Sequence, residues 1–275
     1  MKSLRTWFLA PAVLVMLSLF FLPLLIVLAY SFLSRGAYGG VLPPWTLENY
    51  ARIFDALYLA ILWRSIWIAA VSTALCLVLA FPLAFYIARA GARKTLLLTL
   101  VMLPFWTSFL IRTYAWMFLL RDTGLVNTLL QSLHIVGSPL PLLFNTGAVI
   151  LGLVYGYLPF MVLPLYATLE KLDPALLDAA ADLGAAPSVA LWRVVVPLSR
   201  PGMIAGCLLV FIPCLGAYLT PDLMGGGKTV MIGTLIQNQF TSARDWPFGA
   251  ALSLLLMALV LLVMRALGNK GEELL

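Results

Sequence analysis

DAAADLGAAPSVALWRVVVP, residues 178–197, reads as a short helix-turn-helix with few strongly polar positions, set between two hydrophobic spans. Connections between membrane helices are usually short or freely polar, whereas this one is shaped like a peg. Asp173-Pro174 opens a helix, Leu176, Ala179, Ala180 and Leu183 recur at i, i+3, i+4 and i+7 on one face, and Gly184 closes it. A face of alanine and glycine lets another protein approach closely. At the inner surface of a membrane, such a helix implies a cytoplasmic driver or anchor.

The rest of the chain makes the membrane necessary. Of 275 residues, 63% are hydrophobic and 10% charged, and the mean hydropathy is +1.04. A soluble domain keeps about a quarter of its residues charged, so water could not solvate this surface. A helical span needs about 20 mostly apolar residues. Six are legible, at about 8–33, 61–88, 95–120, 146–168, 199–221 and 248–267, with an inner loop at 169–198 holding the peg. The longest polar stretches between them suit connections rather than a second domain, so residues 1–275 read as a single transmembrane domain. The first span follows Lys2 and Arg5 as a signal peptide would, but its apolar run is too long for one, so it is expected to be retained.

Lysines and arginines orient the chain. With the N-terminus inside, Lys2, Arg5, Arg89, Arg93, Lys94, Lys171, Arg193, Arg200, Arg265 and Lys270 lie inside, and Arg35, Arg52, Arg64, Arg121, Lys228 and Arg244 outside. Both termini are then cytoplasmic, in a multi-pass membrane protein. The net charge of +6 reflects this orientation rather than a nucleic-acid partner.

Prolines 23, 82, 104, 159, 164 and 213 interrupt the spans, and Gly152 and Gly156 form a GxxxG pattern in the fourth. Kinks suit helices buried against one another or lining a cavity, and GxxxG suits close packing. Cys76, Cys207 and Cys214 read as small buried residues, and the single His134 cannot make a metal site alone. Metal: none is expected.

The peg resembles the EAA motif of type I ABC importer permeases: EAA, three residues, Gly, nine residues, Ile, one residue, Leu-Pro. The corresponding positions are Asp178, Ala179, Ala180, Gly184, Val194, Val196 and Pro197, with the spacing kept and Asp, Val and Val replacing Glu, Ile and Leu. Leu103–Asp122, LPFWTSFLIRTYAWMFLLRD, and Thr220–Phe240, TPDLMGGGKTVMIGTLIQNQF, resemble the first permease of spermidine/putrescine uptake systems. The resemblance implies an all-α fold of six transmembrane helices, the type I ABC importer permease (MetI-like) architecture with a cytoplasmic coupling helix. It implies a translocation subunit for polyamines, with sulfate, thiamine or ferric iron as alternative solutes in related permeases. The implied partners are an ABC ATPase dimer, a second permease, an extracytoplasmic solute-binding protein and membrane lipid. In this family the peg seats in a groove of the ATPase. Ala179, Ala180 and Gly184 would then permit seating, and Asp178 and Asp182 would flank the contact with charge. No cofactor is expected on this chain, ATP and Mg belonging to the ATPase.

Gly225-Gly226-Gly227-Lys228-Thr229 ends like a phosphate-binding loop, but position 222, where that pattern needs its first glycine, is Asp222, and no strand precedes it. For the substrate pathway the candidates are Trp106, Arg112, Tyr114, Trp116, Tyr218 and Asp222. Aromatic faces hold amine cations weakly and repeatedly, although Trp116 equally suits an interfacial belt. Arg112 is the one ionisable side chain well inside a span. It reads either as a gate-stabilising ion pair or as a charge that snorkels or pairs with Asp122 or Asp222. Asp222 either attracts a cation or caps a loop. An ion-coupled secondary transporter would need acids inside spans, and all eleven Asp and Glu fall at span ends or in loops. A membrane enzyme would need a cluster of catalytic groups at one depth, and none is apparent.

Overall fold

The computed structural model describes residues 2–272. The side chains of Lys2, Arg5 and Lys270 lie outside the described residues. Helices dominate: α1 (Lys2–Ser31), α2 (Glu48–Ile53), α3 (Ala56–Ala88), α4 (Lys94–Met102), α5 (Phe109–Leu120), α6 (Leu125–Ser132), α7 (Thr146–Leu169), α8 (Ala175–Asp182), α9 (Pro187–Ala190), α10 (Val196–Leu198), α11 (Arg200–Leu215), α12 (Leu219–Gly225), α13 (Ile232–Phe240) and α14 (Trp246–Glu272). The chain divides into two compact units, Met1–Ala60 with Leu235–Leu259, and Ile61–Thr234 with Val260–Leu275.

In the first unit, the polar stretch after α1 forms an antiparallel hairpin, β1 (Leu33–Arg35) with β2 (Val41–Trp45). Gly39 and Gly40, at φ +91° and +80°, make its turn, a backbone that L side chains rarely adopt. The Asn49 amide, buried, donates to the carbonyls of Ser31 and Leu33 and so pins the hairpin's base. Asp245 caps α14, accepting the Phe248 N–H at 3.2 Å, and pairs with Arg52 at 3.0 Å. The Arg52 guanidinium also lies 4.0 Å over the Phe248 ring. Asp245 is 2% exposed, so removing Arg52 would strand a buried carboxylate.

In the second unit, α7 is the central helix. Its face carries Val149, Leu153, Met161, Val162 and Leu165, all fully buried. The small residues expected to allow close packing do so. A Cβ on Gly152 would stand 2.6 Å from the Met224 sulfur of α12, and one on Gly156 would stand 3.2 Å from the Phe109 ring of α5. On α11, Gly206 meets Met161 and Gly202 meets Thr168 in the same way. Ser65 of α3 donates to the Ile61 carbonyl and accepts the Ile232 N–H at 2.7 Å, satisfying a free donor at the start of α13.

Among the described residues, four helical segments are long and apolar enough to cross a bilayer: Val13–Ser31, Ala56–Ala88, Thr146–Leu169 and Trp246–Ala266. Two more spans are bent pairs, so six arise if each pair counts as one. The expected third span, 95–120, is not one helix. A 3-10 turn at Leu103–Trp106 follows α4, Thr107 and Ser108 are extended, and the Gly91–Trp106 and Phe109–Ser132 segments meet at 88°. Pro104 supplies no backbone donor, and the Thr107 hydroxyl donates to the Pro104 carbonyl at 2.7 Å, competing with helical continuation. The expected fifth span, 199–221, ends early, at Leu215. The tight packing of Gly233 against the Gly216 carbonyl, 2.4 Å from a virtual Cβ, marks the turn that stops it.

Candidate functional site

The peg follows α7 directly. The Asp173 carboxylate accepts the Ala175 N–H at 2.9 Å, which starts α8. At the other end, Gly184 N–H donates to the Ala181 carbonyl and Ala185 N–H to the Ala180 carbonyl, the paired bonds of a Schellman closure. Gly184 sits at φ +80°, and nothing lies within 4 Å of a Cβ placed there. Backbone shape, not crowding within this chain, explains glycine at this position. Ala186 is extended ahead of Pro187, which opens α9 at its first turn.

Residues Leu191–Val195 then form a π turn. It falls where the Pro197 ring would meet the Arg193 carbonyl of a regular helix, so the widened turn makes room for it. Val195 is fully buried, while Val194, Val196 and Pro197 are half-buried. The Ser199 hydroxyl donates to the Val195 carbonyl at 2.6 Å, and the chain turns by 66° into α11.

On the face read from the periodicity, Leu176 borders a recess with Thr168 of α7 and Pro201 of α11, and the remainder is largely open. Leu183 is 89% exposed, Leu176 is 43% exposed, and Asp178, Ala179 and Asp182 are exposed, with Ala180 half-buried. The neighbouring arm adds Trp192, 69% exposed. Leu177, Ala181 and Ala185, on the opposite side of the turn, line an apolar recess of about 480 Å³ with Phe85 of α3 and Leu191.

The pathway candidates divide. Arg112 and Trp116 come together with Thr107, Ile111 and Tyr155 of α7 around a recess of about 320 Å³. Trp116 and Tyr155 stand edge-to-face at 5.5 Å. The Arg112 guanidinium lies over the rings of Phe105 and Phe109, at 4.6 and 5.6 Å, and its Nε and Nη1 are buried without hydrogen-bond partners. Neither Asp122 nor Asp222 pairs with it, so the expected ion pair is replaced by aromatic stacking. Among the described residues, the ion pairs are Arg52–Asp245 and Lys94–Glu170.

Trp106, 78% exposed, and Tyr114, 43% exposed, do not line this recess. Tyr218 leaves the shortened fifth span to precede α12, where its carbonyl accepts the Asp222 N–H and the Thr234 hydroxyl. Asp222 is exposed in the first turn of α12, a place that favours negative charge. Sequence patterns gave no sign of Tyr155 or Phe105, because their contacts are made across the fold. Glu170 does carry a signal in the sequence, an acid at a helix C-terminus.

No family model matches the chain. It is 46% identical over 247 residues to the spermidine/putrescine transport system permease protein PotB of Escherichia coli (strain K12), covering 88% of this chain and 90% of that protein. The Haemophilus influenzae PotB (strain ATCC 51907 / DSM 11121 / KW20 / Rd) is 44% identical over 246 residues, covering 88% and 86%. Among solved structures, a chain of the bacterial alginate ABC transporter, in complex with its alginate pentasaccharide-bound periplasmic protein, matches the fold with a TM-score of 0.78. That match is at 17% identity and covers 98% of this chain and 95% of the other. The resemblance carried by the peg and by Leu103–Asp122 and Thr220–Phe240 thus extends over most of the sequence, and the chain belongs to the family of the spermidine/putrescine transport system permease protein PotB.

Proposed function

We propose that this chain is the translocation subunit of an ATP-driven importer of polyamines such as spermidine and putrescine. The observation that carries the reading is the peg itself: a capped helix, closed by a left-handed glycine, whose apolar face is left largely open on a chain nearly half identical to PotB proteins over most of its length. An ATPase dimer in the cytoplasm would take the face of Ala179, Ala180 and Gly184, with Val194, Val196 and Pro197 holding the arm behind it. Closure of the dimer on ATP would move the peg and shift the spans between two accessibilities. This chain would hydrolyse nothing and hold no cofactor, ATP and Mg being bound by the ATPase.

A second permease would complete the pathway, and an extracytoplasmic binding protein would deliver the solute to the outer segments. Both termini would face the cytoplasm. In the recess beside α5, the rings of Trp116 and Tyr155 offer faces to amine cations, while Arg112, stacked on phenylalanine, would keep a cation from settling too deeply.

The test is reconstitution of the chain with the ATPase, permease and binding protein of its own system in vesicles. Spermidine or putrescine should enter only with ATP and binding protein present, and vanadate should stop it. Uptake driven by an ion gradient and indifferent to vanadate would overturn the reading, and ATP-dependent entry of sulfate, thiamine or ferric iron alone would overturn its substrate.

A further inference from the structure

Two charges at the root of the peg stand on the wrong ends of their own helices. Glu170 follows the last residue of α7, its N–H bonded to the Tyr166 carbonyl at 2.8 Å, so its carboxylate faces the negative end of that helix dipole. Lys94 opens α4, placing an ammonium at the positive end of another. Each is unfavourable alone. They meet each other: Lys94 Nζ donates to Glu170 Oε1.

The neighbourhood sharpens the choice of partner. The connection before α4 and the residues after α7 carry Arg89, Arg93, Lys94 and Lys171, with Glu170 and Asp173 as the acids. Asp173 is already engaged in starting α8 through the Ala175 N–H. Arg89 lies over the Phe85 ring, at 3.7 Å. Glu170 is therefore the acid left to meet the cations here, and Lys94 is the cation it meets.

The position of the pair is mechanical. Glu170 lies three residues before Asp173, where the peg begins. Lys94 begins the segment that runs through α4 and the 3-10 turn into α5, which carries Arg112 and Trp116. We propose that Lys94 and Glu170 form a positioning pair that ties the root of the peg to α4, so that displacement of the peg is passed to the bent α4–α5 segment beside the recess. This rests on the importer reading above. The pair touches no solute; it sets how much peg movement reaches the pathway.

The experiment reads polyamine moved per ATP hydrolysed by the reconstituted assembly, with subunit content checked by gel. Lys94→Glu and Glu170→Lys should each lower that ratio, roughly three- to tenfold, as an exposed attraction is turned into a repulsion. The double exchange should bring it back to within about twofold of the parent chain. Single variants with the parent ratio, or a double variant no better than the worse single one, would overturn the proposal. If reversal prevents assembly, Lys94→Gln should lower the ratio and Lys94→Arg should preserve it, and equal ratios for the two would overturn it. A parent assembly showing no ATP-dependent uptake would instead sink the importer reading, which separates the two failures.

Discussion

The peg and the recess beside the broken third span are built by opposite means. The peg is assembled from neighbours in sequence: Asp173 starts it, Gly184 ends it, Pro187 restarts it, and each bond spans a few residues. The third span is broken locally, at Pro104 and Thr107, but the recess beside it is walled by residues far away in sequence. Tyr155 of α7 meets Trp116, and Phe109 fits against Gly156. Surface that one molecule shows to another has to be formed locally, because nothing in its own chain covers it. A recess between helices can borrow its walls.

The largest effect should come from the peg's closing residue. Gly184→Val puts a β-branched side chain at φ +80°, a conformation that costs about 1–2 kcal/mol for a residue with a Cβ and more when the side chain is branched. The closure would open and the face carrying Leu183 would be reoriented. Uptake should fall more than about tenfold and the ATPase should no longer co-purify, with the chain still inserted. Gly184→Asn, which tolerates the left-handed region, should retain most uptake. Equal loss in both variants would move the reason for glycine from backbone shape to the space a partner needs.

This contrast explains what could be read from sequence. The peg's ends, its exposed face and the close approach at Gly152 and Gly156 followed from caps, a 3.6-residue period and small-residue spacing, all local signals. Most apolar spans were legible for the same reason. The break at Thr107–Ser108 was not, although Pro104 lay in view, because a proline in an apolar run is compatible with a kinked but continuous helix. Arg112, which the sequence reads either as an ion-pair partner or as a charge that snorkels, lies over phenylalanine rings, since a period fixes a face but not what stands opposite it. Trp106 and Tyr114 were grouped with Trp116 by proximity in sequence. Helical geometry separates them, for Arg112, Ala115, Trp116 and Leu119 share one side of α5 and Tyr114 does not.

A smaller effect should follow at the recess. Trp116→Ala removes one aromatic face and its edge-to-face contact with Tyr155, a loss of about 1 kcal/mol, or roughly fivefold in uptake rate. The ATPase should remain bound, in contrast to Gly184→Val. Trp106→Ala, away from the recess, should slow uptake less. The reverse order in initial rates of labelled spermidine entry would place the pathway on the other side of α5.

The smallest effect concerns pH, and there the expectation is constancy. Hydrogen bonding to Lys94 holds the Glu170 carboxyl below its ordinary value of 4.5, and the Glu170 bond raises Lys94 above its ordinary 10.5. The acid's contribution is therefore complete above 4.5 and lost as pH falls through its depressed value. The base's contribution is complete below 10.5 and lost as pH rises through its raised value. Between about pH 6 and about pH 9 both charges persist, so polyamine moved per ATP should vary by less than roughly twofold while absolute rates drift with the other subunits. A step in the ratio near pH 7 would mean that a titrating group elsewhere in the assembly sets the coupling, and would shift attention from the root of the peg to the surface it meets.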